Sequence, residues 1–341
     1  MYQQFFQNIR PPTLLDASLY NLIQNKSWVI NNIGQVWNHL PPSVKKLFLD
    51  EAFKHLDNKR DISLLLKIFL MSVQSGEPQC LRSIKTPKYI ESSDAETRQD
   101  LLKILLETSK SSNRHKTKIL DFQMYKFIQD IDLFMPGEEN LLLSEVIEAY
   151  MSNLEVLVLP VATNLKILQI IAERGDNLKV LDISHSSEVT SEDIIATLCR
   201  PGSKCVGLQR LCIEGTAIKE KGVSALLKCL PSLQVIESSH LVRAFANLRR
   251  SRNESAEATL PELSLTKVVV DSQLSNTDSA EVVRSISELC PKLAQLTISY
   301  CSNLQVKSLT RFYVGFSPSR IILKWYSYKK HSHGLLFLTV S

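Results

Sequence analysis

A six-residue unit with an aliphatic residue at its first, fourth and sixth positions recurs six times between residues 150 and 313, and no other feature restricts the fold so tightly. The copies are Leu154/Leu157/Leu159, Leu178/Leu181/Ile183, Leu208/Leu211/Ile213, Leu233/Ile236/Ser238, Leu265/Val268/Val270 and Leu293/Leu296/Ile298. Their first positions are 24, 30, 25, 32 and 28 residues apart. Self-similarity at a period of 20–50 residues is the mark of a stacked array. A shorter copy, Thr117-Lys118-Ile119-Leu120-Asp121-Phe122, aligns with Leu178 to Ile183 but begins 37 residues before the next unit.

Side-chain direction explains the pattern. In a strand, positions 4 and 6 point to one side and positions 3 and 5 to the other. The aliphatic residues therefore enter a core. The outward set is Val156 and Val158, Val180 and Asp182, Arg210 and Cys212, Val235 and Glu237, Lys267 and Val269, and Gln295 and Thr297. Helical spacing follows each strand: Ser191 can cap a helix carrying Ile194, Ile195 and Leu198, and Val223, Leu226, Leu227 and Leu230 repeat the face, as do Val282, Val283, Ile286 and Leu289;. One such unit has too little apolar surface to fold alone, whereas stacked neighbours share a continuous core. The predicted class is α/β: a solenoid of right-handed strand–helix repeats with a parallel, concave sheet.

The repeats resemble the ribonuclease-inhibitor-like and cysteine-containing leucine-rich repeats. The likeness rests on Leu178-Lys179-Val180-Leu181-Asp182-Ile183-Ser184 and on Cys290-Pro291-Lys292-Leu293-Ala294-Gln295-Leu296-Thr297-Ile298-Ser299-Tyr300-Cys301, with Cys229-Leu230-Pro231-Ser232-Leu233 as a looser copy. Two departures stand out. Ser238 occupies a core aliphatic position, and residues 241–259 read as an inserted loop. That loop mixes Arg249-Arg250-Ser251-Arg252 with Glu254 and Glu257, so it reads as a solvated segment rather than a nucleic-acid patch;.

Residues 10–60 obey a different rule. Leu14, Ser18 and Leu22 fall at intervals of four after Thr13 and share one helical face, where the small Ser18 leaves a notch between leucines;. Next come Leu40-Pro41-Pro42-Ser43-Val44-Lys45-Lys46-Leu47-Phe48, whose prolines set a helix start;. The pair of motifs is similar to the box of VHL-box and SOCS-box substrate receptors. That resemblance implies an elongin contact through Thr13, Leu14, Ser18 and Leu22, with Ser18 where Cys is usual, and a cullin contact through Leu40, Pro41, Val44 and Phe48. Two other readings stand beside it. An ordinary helical cap over the first repeat would use the same residues, and an F-box also opens on Leu-Pro before a helix, although no tryptophan follows here until Trp325.

Residues 61–150 read as a mainly helical connector or as degenerate first repeats, with apolar clusters at 62–69, 101–106 and 141–147 and a polar loop at 107–118. Residues 151–313 form the solenoid. The tail, 314–341, departs from the repeat pattern and reads either as an end cap or as a segment that does not fold with the rest.

Little in the sequence points to chemistry of its own. The seven histidines are dispersed, and His331-Ser332-His333 lacks a nearby carboxylate or thiol, so neither a catalytic group nor a metal or other cofactor is expected;. Ten glycines in 341 residues argue against a Gly-rich phosphate cradle;. Seven scattered cysteines without C-x-x-C spacing read as reduced thiols of a cytoplasmic or nuclear protein;. The run Leu335 to Leu338 is far shorter than the ~20 residues a membrane span needs, so no membrane partner is expected;. Of the net charge of +5, the tail holds +4 in Arg320, Lys324, Lys329 and Lys330, which leaves a near-neutral body and no case for nucleic acid;. The expectation is a non-catalytic substrate-recognition subunit of a cullin-RING ubiquitin ligase. It would bind elongin B/C and a cullin, or an F-box-type adaptor, through its N-terminal box and a protein substrate on the repeats. The alternative is a leucine-rich scaffold or inhibitor with no ubiquitin connection.

Overall fold

One backbone arrangement recurs from Arg82 to Gln295 and builds the molecule. In the computed structural model, which describes residues 39–41, 43–45, 47–48, 82–86, 95–110, 117–122, 125, 137–254, 263–271, 285–286, 288–299, 321–326 and 333–338, the carbonyl just before each strand accepts two N–H groups from the following repeat. Arg82 O takes Lys118 N and Ile119 N, Lys118 O takes Glu155 N and Val156 N, and the same pair of bonds continues through Glu155, Lys179, Gln209, Gln234 and Thr266 to Ala294 N and Gln295 N, all at 2.7–3.1 Å. Each repeat is thereby tied to its neighbours in the same way.

The strands are β1 (Ser83–Lys85), β2 (Ile119–Asp121), β3 (Val156–Val158), β4 (Val180–Asp182), β5 (Arg210–Cys212), β6 (Val235–Glu237), β7 (Lys267–Asp271), β8 (Gln295–Ser299), β9 (Ile321–Tyr326) and β10 (His333–Leu338). They form one sheet in chain order. Every neighbouring pair from β1 to β9 is parallel, and β10 returns antiparallel to β9. Helices alternate with the strands: α1 (Ala95–Ser109), α2 (Gly137–Tyr150), α3 (Leu165–Arg174), α4 (Ser191–Ala196), α5 (Glu220–Cys229) and α6 (Leu241–Glu254).

The register stacks like on like. Ile84, Leu120, Leu157, Leu181, Leu211, Ile236 and Val268 are the central residues of β1 to β7 and lie side by side. All seven are buried, as are the first-position residues Leu154, Leu178, Leu208, Leu233, Leu265 and Leu293. At roughly 1.5–3 kcal/mol per buried aliphatic side chain, this shared interior supplies what a single unit lacks. The helices complete it, for example through Ile167, Leu168 and Ile171 of α3 and Val223, Leu226 and Leu227 of α5.

Three local expectations are corrected, and one departure from the repeat pattern finds a partner. Residues 241–254 are helix α6 rather than loop, because Leu241, Ala244, Phe245 and Leu248 fall at helical spacing and are buried beneath an Arg-rich exterior;. Ser238, which takes an aliphatic position, is buried, and its hydroxyl accepts the His240 N–H at 3.2 Å in the turn entering α6. Thr190, not Ser191, caps α4, with Asp193 completing a capping box, and Ser191 instead accepts the Lys219 N–H of the next repeat at 2.9 Å;. The segment 107–109, read as loop, is the last turn of α1. The stretch 61–150, read as a mainly helical connector or as degenerate first repeats, contributes β1, α1, β2 and α2, and the tail contributes β9 and β10. Among the described residues, no helix is long and apolar enough to cross a membrane.

Candidate functional site

The helices pack against one side of this stack, and the flanking residues of each strand occupy the other. Two rows run across the sheet. The first is Ile119, Val156, Val180, Arg210, Val235, Lys267 and Gln295, and the second is Asp121, Val158, Asp182, Cys212, Glu237, Val269 and Thr297. Where the central residues are buried, Val156, Val158, Val180, Asp182, Cys212, Val235, Glu237, Lys267, Val269 and Gln295 are half-buried, and Arg210 is exposed. Thr297 holds the matching register position opposite Val269. The structure thus brings all twelve outward candidates onto consecutive strands and adds Ile119, whose repeat begins 37 residues upstream.

Two of the charges on this face are used on each other. Arg210 Nη2 donates to Glu237 Oε1 at 2.9 Å. Along the entry to the strands, Glu155 lies 2.9 Å from Lys179 Nζ and 3.8 Å from Lys118 Nζ. The hydrogen bond from Lys179 is the main reason the Glu155 carboxyl is held below its usual pKa;. Asp182 differs. Its Oδ1 accepts the Ser184 N–H at 3.0 Å, and no cation pairs with it among the described residues. Its register neighbours are Val158 and Cys212, and Val180 precedes it on the same face of β4. Burial, with the Asp182 charge second, pushes the Cys212 thiol up to about 12, which keeps it protonated at neutral pH;.

The N-terminal candidates fall into two groups. Thr13, Leu14, Ser18 and Leu22 lie outside the described residues. Of the proposed cullin motif, Pro41 is exposed, Leu40 and Val44 are half-buried, and Phe48 is fully buried. The N–H groups of Val44 and Lys45 both reach the Pro41 carbonyl at 3.0 Å, which is the helix start that the prolines announce;.

Among the described residues, no group of three or more His, Cys, Asp or Glu side chains is placed to hold a metal ion. What the arrangement offers is a row of partly open aliphatic groups over a rigid sheet, which suits contact with another chain. No protein-family model matches this chain, and no curated protein matches it either.

Proposed function

We propose that this chain is a non-catalytic substrate-recognition subunit of a cullin-RING ubiquitin ligase, a leucine-rich-repeat solenoid that holds a protein on its open sheet face and joins the ligase core through its N-terminal segment. The observation that carries the binding half is the pair of half-buried rows flanking a fully buried one, repeated strand after strand. Such a surface is apolar enough to bind and rigid enough to select. The ligase half is supported by the order of the two sequence motifs, Thr13/Leu14/Ser18/Leu22 and then Leu40/Pro41/Val44/Phe48, ahead of the repeats. In this reading the chain raises the effective concentration of its substrate beside a conjugating enzyme, and other subunits perform the chemistry.

The burial of Phe48 favours a second reading, a scaffold or inhibitor with no ubiquitin connection, because a ring packed inside the chain offers little to a cullin. Co-purification of the full chain from cells separates the two. Elongin B/C and a cullin are expected with the wild type and absent with Leu14→Asp and Ser18→Asp. An F-box-type adaptor in their place would identify the alternative box, and absence of every ligase component from the wild type would favour the scaffold.

A further inference from the structure

Resting on the reading of this face as the recognition surface, we infer that its partner is an extended protein segment in which one Lys or Arg is flanked by aliphatic side chains, with the cation seated on Asp182. Charge complementarity selects this occupant. The aliphatic ground is Ile119, Val156 and Val180 in one row and Val158 in the other, side by side on β2, β3 and β4. Neighbouring strands are ~4.8 Å apart, so a segment crossing them meets one side chain per strand.

Asp182 closes this patch on the β5 side. Arg210 is committed to Glu237, Lys179 to Glu155, and Lys267 stands three strands away on β7, so no cation of the face pairs with Asp182 among the described residues. A carboxylate has about four acceptor positions, and the Ser184 N–H uses one;. A wholly aliphatic ligand laid over the patch would strip water from that charge and return nothing, and an acidic ligand would be repelled. A Lys or Arg satisfies both demands: its methylene stem covers Val158 or Val180 while its head group pairs with the carboxylate.

The test pans a random-peptide phage library on the full chain and measures the enriched peptides, made synthetically, against wild type, Asp182→Asn and Val156→Glu. Asp182→Asn keeps an oxygen for the Ser184 N–H, so the turn is retained while the charge is lost. Thermal melting checks that both variants fold. The expected result is a motif with one basic residue between aliphatic ones, a Kd raised about tenfold or more by Asp182→Asn, and binding abolished by Val156→Glu. Enriched peptides that lack a basic residue, or that lose affinity with Val156→Glu but not with Asp182→Asn, overturn the assignment to Asp182 and leave the recognition face standing. Peptides indifferent to both variants, or no enrichment at all, overturn the face as well. The ligase half is read separately by the elongin and cullin co-purification.

Discussion

Cys199 lies in the turn after α4 and Cys229 ends α5, and their Sγ atoms lie 2.6 Å apart. When one of two adjacent thiols ionises, the S–H that remains bridges both sulfurs, so they titrate as a pair. Cys229 ionises first because the Cys199 S–H stabilises its thiolate, and the same bond together with burial pushes Cys199 up. Burial alone holds Cys290 up at about 12 and is the main cause of the same value at Cys205. A thiolate reacts and a thiol does not. Brief treatment of the native protein with iodoacetamide at neutral pH is therefore expected to label Cys229 before Cys205, Cys212 and Cys290. Peptide mapping checks this, and Cys199→Ala is expected to slow the labelling because no thiol donor is left beside the Cys229 thiolate;.

At the scale of elements, α1 and α2 are joined through a charged group that no solvent reaches. Arg98 Nε donates to Glu139 Oε1 at 2.7 Å and Nη2 to Oε2 at 3.1 Å, with both side chains fully buried. Tyr125 OH donates to the same Oε1 at 3.1 Å, and burial, followed by the Glu139 charge, raises its phenol well above the usual range. A bidentate pair fixes the helices in angle and in register. Glu139→Ala takes the carboxylate from both Arg98 and Tyr125, so it is expected to cost about 3–5 kcal/mol in a urea titration, whereas Arg98→Met with Glu139→Leu and Tyr125→Phe recovers most of that loss;. The pattern of apolar residues does not disclose this pair, because Arg98 and Glu139 are 41 positions apart and each resembles a solvated helix residue. The same holds for Ser191, the first residue of α4: its sequence position suggests its own helix, and only the stack places it beside Lys219 at the start of α5.

Across the whole molecule, each repeat is bonded chiefly to the repeats before and after it, so stability is a sum of local terms and nearest-neighbour interfaces. Leu211 stands fully buried in β5 between Leu181 and Ile236. Leu211→Ala is expected to cost about 2–5 kcal/mol. Amide hydrogen exchange should accelerate most in β4, β5 and β6 and least toward β1, where a fold with one central core would lose protection throughout.

The repeat was readable from the chain because a buried position in a parallel ladder tolerates only aliphatic residues, and the register copies that demand from Leu154 to Val268. The alternation of strand and helix followed from the same spacing. The first two units were obscured by intervals of 36 and 37 residues between Arg82, Lys118 and Glu155, and β1, Ser83-Ile84-Lys85, carries a single aliphatic residue. Helix α6 was hidden because four arginines outweigh its buried face in composition. The outward positions could be named in advance, since alternation in a strand is a matter of backbone geometry. Which of their charges are spent on one another and which are left for a partner depends on distances between repeats, as at Arg210, Glu237 and Asp182, and those distances exist only once the repeats are stacked.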